Sequence, residues 1–325
     1  MELILSHDIP VLPHRISYTD SVMLIGSCFT EHISDRLLKY KLHILPNPHG
    51  ILFNPLSVAQ SLNSYLDNKQ YTGDDLFYLN ELWNSWDHHT RFSHISKQSA
   101  LELINSSQEN ASVFINKAGW LIITLGSAFQ YYLINGNRPV GNNHRAQAQW
   151  FEKRLLGIDE IVNALDKTLQ KLFSHNRGIK VMFTISPVRH IRDGVVDNNR
   201  SKARLIEAVH ALCSNFNQVY YFPAYELVID ILRDYRFYDI DFVHPNYLAT
   251  QYVWEQFVAT CMEPGAQKII EQVHDIVNAR AHRPRFPDTE AHKMFKADFF
   301  KRSQALKEKF PFLDLEEELR YFAEQ

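Results

Sequence analysis

The stretch Met23-Leu24-Ile25-Gly26-Ser27-Cys28-Phe29 combines three signals that decide how this part of the chain folds. The aliphatic run predicts the end of a strand, Gly26 predicts a tight turn, and the residues from Phe29 onward predict a helix. Ser27 and Cys28 are therefore expected at the carboxyl edge of a sheet, where open α/β folds bind ligands. Unpaired N–H groups in the first helical turn favour negative charge and would lower the pKa of a cysteine there. Both residues are candidate nucleophiles.

The same turn is also typical of residues with purely structural roles. In that interpretation Gly26 only permits the turn, Ser27 caps the helix and Cys28 is a small buried apolar residue. The turn alone does not separate the two interpretations.

A second motif, Asp241-Phe242-Val243-His244-Pro245-Asn246, favours the catalytic interpretation. Pro245 restricts His244 to an extended or turn conformation, so the imidazole is expected on a loop. The offset of three residues lets the Asp241 carboxylate accept the Nδ1 proton of His244, which leaves Nε2 as a general base. A nucleophile turn early in the chain and an Asp-x-x-His pair late in it together predict acyl-transfer chemistry. Alone, the pair is equally compatible with a surface carboxylate beside a loop histidine.

Short aliphatic or β-branched runs alternate with segments of helical period along most of the chain. This alternation predicts an α/β fold with a mainly parallel sheet and helices on both faces. The strand candidates are residues 22–25, 120–124, 180–186 and 219–222, and the helix candidates are 29–40, 158–175, 201–216, 225–234 and 247–261.

The domain organisation is predicted from two changes of character. Residues from about 57 to 112 are rich in Asn, Ser, His and Trp, which predicts an irregular insertion within a catalytic domain of residues 1–262. Residues 263–325 predict a C-terminal helical extension, with helices over 265–280, 289–309 and 313–322 and a proline-containing linker over 281–287. This extension is expected to pack on the core, the alternative being an arm that binds a partner.

The bulk composition excludes several classes of protein. The 325 residues carry a formal charge of −3, so the chain offers no broad positive field for nucleic acid. Three scattered cysteines predict a reducing compartment, and no basic leader or long apolar stretch is seen. We therefore expect a cytoplasmic protein that acts on a small molecule without a membrane or nucleic-acid partner.

The ordered motifs of this chain resemble those of the GSCFA family, which is placed in the SGNH (GDSL-like) hydrolase superfamily. The resemblance runs from about residue 26 to residue 257 and is carried by Ile25-Gly26-Ser27-Cys28-Phe29-Thr30, Leu52-Phe53-Asn54-Pro55, Trp86-Asp87-His88-His89, Arg91-Phe92-Ser93, Thr124-Leu125-Gly126, Phe151-Glu152-Lys153-Arg154, Ser186-Pro187-Val188-Arg189-His190, Arg233-Asp234-Tyr235-Arg236-Phe237-Tyr238 and Asp241-x-x-His244. It implies a three-layer α/β/α fold and esterase, deacetylase or acyltransferase chemistry on small esters or acylated carbohydrates.

Departures from the superfamily pattern bear on the nucleophile and on the oxyanion hole. Superfamily members carry Gly-Asp-Ser-Leu, and a gapless alignment places Cys28 at the serine and Ser27 at the aspartate. We therefore favour Cys28, with Ser27 as the alternative. The usual Gly-x-Asn-Asp block is replaced by Gly126-Ser127-Ala128-Phe129, which lacks the asparagine. The candidate replacement donors are the backbone N–H of Cys28 or Gly126, the side chain of Asn54, and Asn143 in a polar run that includes His144. The family motif also ends in alanine where this chain has Thr30.

Further candidate residues are expected to bind the substrate. Arg189 and His190 follow a strand, so they are expected at the active-site edge, where they could contact a carboxylate, a phosphate or a sugar hydroxyl. A structural role for Arg189 in an ion pair is the alternative. His88 and His89 lie in an aromatic segment that could stack on a sugar. Adjacent histidines rarely bind one ion, so no metal site and no cofactor are predicted.

These observations together predict attack by Cys28 or Ser27 on an acyl carbonyl, with His244 as base and then acid, and with Asp241 orienting it. Water as the acceptor gives an esterase, whereas a sugar hydroxyl gives an acyltransferase that needs an acyl donor. The substrate is expected to be a small acyl ester or an acylated sugar. Two alternatives stay open: a catalytically inert SGNH-like module that binds a carbohydrate or small molecule, and a scaffold that works through its C-terminal helices.

Overall fold

A computed structural model describes residues 8–323. The prediction that the chain has no basic leader rests partly on residues 1–7, which lie outside the described residues. Within 8–323, every helix is too short or too polar to cross a lipid bilayer.

Strands and helices alternate through the first two thirds of the described chain. The strands are β1 (Val22–Gly26), β2 (Ile44–Pro46), β3 (Leu76–Leu79), β4 (Leu82–Ser85), β5 (Trp120–Leu125), β6 (Phe129–Leu133), β7 (Arg138–Val140), β8 (Phe151–Leu155), β9 (Lys180–Ile185) and β10 (Val219–Tyr221). The helices are α1 (Cys28–Lys39), α2 (Pro55–Leu66), α3 (Lys97–Ile115), α4 (Ile158–His175), α5 (Val195–Asn215), α6 (Ala224–Glu226, continued by a π-helix over Leu227–Leu232), α7 (Tyr247–Cys261), α8 (Pro264–Ala281), α9 (Glu290–Lys309) and α10 (Glu316–Ala323).

The central sheet contains five parallel strands in the order β10-β9-β5-β1-β2. The chain leaves β1 toward β2 on one side and later returns on the other side to form β5. The strand order therefore reverses between β1 and β5. In open α/β sheets, the crevice outside the carboxyl ends of the strands at such a point is where ligands bind. The turn after β1 lies at this crevice.

The two faces of the sheet are covered by different helices, because alternate side chains of each strand point in opposite directions. Val22 and Leu24 of β1 belong to the apolar core shared with α1, α7 and α8. Met23 and Ile25 belong to the core shared with α2, α3, α4 and α5. The predicted α/β class with a mainly parallel sheet between two helical layers is confirmed.

The segment 57–112 is not the irregular insertion that its composition suggests. Its beginning forms most of α2, its end forms most of α3, and only the part between them, with the β3–β4 hairpin, is largely loop. The prediction fails because Ser61, Ser64 and Ser112 donate their hydroxyls to helical carbonyls three or four residues earlier and lie buried as small helical residues.

A second sheet stands beside the carboxyl edge of the central one. Its three antiparallel strands have the order β7-β6-β8, and β6 follows β5 after a three-residue connection. The sequence analysis did not identify these strands. They provide one wall of the cavity described below.

The C-terminal helices pack on the α1–α7 face of the molecule. Leu306, Leu313 and Phe322 are buried in the same core as α1 and α7. The buried carboxylate of Glu318 accepts from Arg280 at 3.0 Å and pairs with Lys41 at 3.1 Å, so α10 is bound both to α8 and to the turn after α1.

Two buried histidines predict loss of stability in acid. His49 stacks on His88 at a centroid distance of 4.0 Å, and burial lowers the pKa of His49 to about 3 and that of His88 well below its ordinary value. Below about pH 6.5 the two histidines bind protons in the unfolded chain but not in the folded chain. Each histidine therefore lowers the free energy of unfolding by about 1.4 kcal/mol for every unit by which the pH falls. Urea unfolding at several pH values between about 4.5 and 7 measures this slope. The His49→Gln variant should show a shallower slope, and parallel slopes would contradict the prediction.

Candidate active site

The turn after β1 requires glycine because the backbone of β5 lies against it. Gly26 has a φ of 151°, and a Cβ atom at this position would lie 2.2 Å from the carbonyl oxygen of Thr124. The Ser27 N–H donates to that same carbonyl at 3.1 Å. This contact fixes Ser27 and Cys28 at the carboxyl edge of the sheet.

Ser27 occupies the N-cap position of α1, but its side chain does not cap the helix. The Ser27 Oγ is buried and has no hydrogen-bond partner among the described residues. Cys28 is the first residue of α1 and is half-buried. Of the two, Cys28 is the more accessible.

The pKa of the Cys28 thiol is raised, whereas the sequence analysis expected the helix terminus to lower it. Burial is the largest cause and the Glu31 carboxylate is the second. The backbone N–H groups of Cys28 and Phe29 and the charge of Lys202 act in the opposite direction but do not offset the burial. Removal of a thiolate from water outweighs the partial positive charge of the helix start. At neutral pH the resting group is therefore the thiol.

Asp241 and His244 form the hydrogen bond that their spacing predicts. The Nδ1 of His244 lies 2.6 Å from Asp241 Oδ2, and Asp241 Oδ1 accepts from the N–H groups of Val243 and His244. The hydrogen bond from the imidazole, together with those backbone bonds, lowers the pKa of Asp241 to about 2. Because Nδ1 faces this carboxylate, Nε2 is the ring nitrogen that can act on a substrate.

Arg189 supports the loop that carries this pair. Its backbone N–H donates to the Val243 carbonyl at 3.3 Å and its guanidinium donates to the Phe242 carbonyl at 3.1 Å. The guanidinium also lies 4.2 Å from the centre of the Tyr238 ring. Arg189 thus has structural contacts in addition to its position at the cavity.

One cavity of about 690 Å³ brings most of the predicted site residues together. Its volume falls in the range of small-molecule sites. The predicted residues that line it come from the β1–α1 turn, the start of α2, the loop after β7, the loop after β9 and the loop before α7. They are Ser27, Cys28, Asn54, Asn143, Arg189, His190, Asp241 and His244.

Three predicted substrate-binding histidines do not line this cavity. His88 is buried against His49, and His89 caps a short 3-10 helix by accepting from the Arg91 N–H. His144 is buried beside the β3–β4 hairpin, with its Nε2 2.7 Å from the Ser85 carbonyl oxygen. The rings of His88 and His144 pack against Tyr71 and Trp86, and none of the three histidines faces the cavity, so they do not form the sugar-stacking surface that the sequence suggested.

Gly126 is also not the oxyanion donor that the sequence suggested. Its N–H donates to the Phe53 carbonyl at 2.8 Å and is therefore already engaged. Asn54 differs, because its Oδ1 caps α2 by accepting from the Ser57 N–H at 2.8 Å. The Nδ2 group of Asn54 has no hydrogen-bond partner within residues 8–323. It is a donor beside the cavity that the fold leaves unused.

A comparison with known protein families identifies the family of this chain. Residues 21–257 match the GSCFA family, and residues 273–325 match the C-terminal domain of GSCFA domain proteins. The chain belongs to the GSCFA family. A comparison with curated proteins gives no match.

Among solved structures, this GSCFA protein is similar to an acetyl xylan esterase (Est2A) from the rumen bacterium Butyrivibrio proteoclasticus. The TM-score is 0.37 and the identity is 9%, with 78% of this chain and 64% of the esterase chain covered. The match thus spans less than two thirds of that enzyme's length.

His190, which lines the cavity of the GSCFA protein, has a lowered pKa. Burial lowers its pKa to about 4, and the charge of Lys202 adds to this effect. Its Nε2 lies 3.4 Å from the point where a Cβ on Gly126 would stand, and its ring meets Phe53 edge-on at 5.7 Å. The imidazole is neutral at physiological pH and can donate or accept a hydrogen bond.

Lys202 is the residue at this site that the sequence analysis missed. Its side chain is buried and its Nζ donates to the carbonyls of Gly126 and Ser186, each at 2.6 Å. The signal was the polar set Asn198, Ser201 and Lys202, which share one face of α5 at a spacing of three and four. The predicted helix began only at Ser201, whereas α5 begins at Val195, so this face was not recognised.

Proposed function

We propose that this GSCFA protein is an SGNH-type hydrolase of O-acyl esters in which Cys28 is the nucleophile, His244 the general base and Asp241 the residue that orients it. One observation carries the proposal: residues from opposite ends of the chain line a single cavity at the reversal point of a parallel sheet. The Asp241–His244 hydrogen bond adds the orientation that a general base needs.

The raised pKa of Cys28 determines the first step. Because the resting group is a thiol, Nε2 of His244 takes its proton as the sulfur bonds to the acyl carbon. The tetrahedral intermediate then expels the alcohol oxygen, which receives that proton from His244. Water, deprotonated by the same nitrogen, attacks the thioester and releases the acid and the free thiol. Asp241 remains ionised throughout, since its pKa is about 2.

Two donors fit the developing oxyanion. The N–H of Cys28 is in the first turn of α1 and has no intrahelical acceptor. The Nδ2 of Asn54 is the second, and it takes the place of the asparagine that is missing after Gly126. Asn143 also lines the cavity, but it lies on a loop and is less buried than Asn54.

The Asn54→Asp variant isolates this donor from the helix cap. Aspartate keeps an oxygen to accept the Ser57 N–H, so α2 remains capped, but it replaces the Nδ2 donor by a carboxylate. We expect kcat to fall about 10²- to 10³-fold, as for loss of one oxyanion donor. The measurement is kcat for p-nitrophenyl acetate, with thermal unfolding to show that the fold is retained. A change in KM alone would contradict the assigned role.

The cavity favours an acylated sugar as substrate. Phe53, Phe129 and Tyr131 supply flat apolar surface, and Asn142 and Asn143 supply amides that can hydrogen-bond to hydroxyl groups. A sugar hydroxyl as acceptor in place of water would make the protein an acyltransferase that uses a separate acyl donor.

The experiment that tests the function is hydrolysis of p-nitrophenyl acetate and of an O-acetylated sugar by the full chain, with the Cys28→Ala variant as the blank. Turnover above this blank supports the hydrolase. Turnover that is no faster than the blank, together with sugar binding by calorimetry, would instead favour the catalytically inert binding module.

A further inference from the structure

A second cavity of about 510 Å³ adjoins the catalytic one. Its walls come from the loop after β9, the first two turns of α5, α6 with its π-helical continuation, and the loop before α7. The two cavities share the lining residues Arg189, Ile191 and Asp241, whereas Cys28 and His244 line only the first. This accessory cavity is therefore open to the part of a substrate that extends past Asp241, away from the reacting atoms.

Apolar side chains at the mouth of the accessory cavity are exposed to solvent. Tyr235 is 66% exposed and Phe242 is 58% exposed, and their rings meet edge-on at a centroid distance of 5.6 Å. Ile191 and Val195, which line the same cavity, are also more than half exposed. Adjacent exposed apolar groups that line a concave surface are typical of a ligand site.

The backbone at Phe242 has a conformation that favours glycine. Its φ is 56°, in the left-handed region that a residue with a bulky side chain rarely adopts. Its N–H donates to the Asp239 carbonyl at 2.9 Å, and its carbonyl accepts from the Arg189 guanidinium at 3.1 Å. Glycine would form this turn without strain, so the turn itself does not require an aromatic ring. Strained positions of this kind cluster at ligand-binding sites.

Polar groups of the accessory cavity are left unused by the fold. The hydroxyl groups of Tyr225 and Tyr235 have no hydrogen-bond partner within residues 8–323, and the same holds for Nδ2 of Asn199. The Oδ1 of Asn199 accepts from Asn198 Nδ2 at 3.2 Å, which orients the amide. Aromatic rings beside free hydroxyl and amide groups suit a sugar, which has apolar C–H faces and a rim of hydroxyl groups. An aliphatic acyl chain would displace water from these polar groups without replacing its hydrogen bonds.

We propose that the accessory cavity is a subsite for a second sugar unit, so that the substrate is an O-acylated oligosaccharide. The proposal rests on the hydrolase function proposed above. The acylated unit lies in the catalytic cavity with its ester at Cys28, and the neighbouring unit stacks on Tyr235 and hydrogen-bonds to Asn199. Contacts to that unit, away from the reacting atoms, hold the ester in place and raise kcat/KM.

The test compares acetate release by the full chain from O-acetylated glucose with acetate release from O-acetylated cellotriose and maltotriose. These probes differ in length and in linkage, and each of their rings has an apolar face. We expect kcat/KM per acetyl group for at least one trisaccharide to exceed that for acetylated glucose about tenfold, which is the order of one aromatic contact. Equal values for all three sugars would overturn the proposal.

The Tyr235→Ala variant removes the ring on which the second unit stacks. The advantage of the trisaccharide over glucose should fall to about twofold or less, whereas Tyr235→Phe, which keeps the ring, should retain most of it. Tyr78→Ala is the matched control, because Tyr78 is 60% exposed, lies on β3 and lines neither cavity. Its trisaccharide advantage should equal that of the wild type. An advantage that survives in Tyr235→Ala would contradict the assigned stacking role and overturn the subsite.

The Asn199→Ala variant tests the other wall of the accessory cavity. Asn199 lies on α5, which is separate from the loop that carries Asp241 and His244. Loss of its hydrogen bond to the sugar should reduce the trisaccharide advantage about fivefold. This variant decides if Tyr235→Ala does not fold, and an unchanged advantage in it would then overturn the proposal.

A long-chain ester tests the alternative occupant. If p-nitrophenyl octanoate is hydrolysed faster than the acetate and this difference is lost in Tyr235→Ala, the accessory cavity holds an acyl chain and the sugar subsite is overturned. A ratio of the two rates that is the same in Tyr235→Ala and in the wild type supports the sugar.

Failure of the subsite and failure of the hydrolase give different results. Turnover of p-nitrophenyl acetate above the Cys28→Ala blank, without a trisaccharide advantage, rejects the subsite alone. If no ester is hydrolysed, calorimetry with unmodified glucose, cellotriose and maltotriose takes the place of the kinetics. Tighter binding of a trisaccharide that is lost in Tyr235→Ala would then support the subsite and reject the hydrolase, and equal binding of all three sugars would reject both.

Discussion

The Cys28→Ala variant is expected to hydrolyse p-nitrophenyl acetate about 10³- to 10⁴-fold more slowly than the wild type. The substitution removes the atom that bonds to the acyl carbon and leaves only water attack in a cavity that still holds the oxyanion donors. Because Cys28 is half-buried at the start of α1, alanine fits without strain and improves helix propensity. The loss should therefore appear in kcat/KM and not in the unfolding temperature.

Two further variants make this result specific. Ser27→Ala is expected to keep kcat/KM within about tenfold of the wild type, because Ser27 Oγ is more deeply buried than the Cys28 thiol. Cys213→Ala, at another half-buried cysteine on α5, should have no effect. Loss in Ser27→Ala with retention in Cys28→Ala would move the nucleophile to the serine.

The strands of the central sheet could be predicted from the sequence because buried parallel strands are apolar on both faces. Residues 120–124 and 180–186 show this pattern, and they correspond to β5 and β9 within one residue. Helix α4, which has a clear apolar stripe, has the predicted bounds, and so does the largely apolar helix α7. In these elements the local sequence pattern and the tertiary environment favour the same secondary structure.

The sequence did not predict which polar residues are buried. A lysine in a helix normally indicates a position that is exposed to solvent. The local sequence pattern therefore did not predict that Lys202 is buried and donates to two carbonyls at strand ends. Likewise His88 and His144 suggested a ligand site, yet both are buried inside the fold, away from the cavity. Whether a polar side chain faces a cavity depends on contacts between distant segments, and composition does not record these contacts.

The second large effect is expected from His244. Without its imidazole, the thiol, whose pKa is raised, loses its proposed general base, so kcat/KM for p-nitrophenyl acetate should fall about 10³- to 10⁴-fold in His244→Ala. His190, the other imidazole of the cavity, is a poor replacement because burial lowers its pKa to about 4. Asp241→Asn should cause a loss of similar order, because an amide donor facing Nδ1 favours the tautomer that carries its proton on Nε2. His175→Ala, at an exposed histidine at the end of α4, is the control and should leave the rate unchanged.

Chemical rescue separates a missing base from a damaged fold in His244→Ala. The wild-type imidazole is 44% exposed, so the space that it leaves is open to solvent and added imidazole can enter it. Activity should return with imidazole concentration and should grow as the pH rises, since only neutral imidazole accepts the thiol proton. The same addition should not restore Cys28→Ala. A His244→Ala variant that retains the wild-type rate, or rescue that is equal in both variants, would remove His244 from the mechanism.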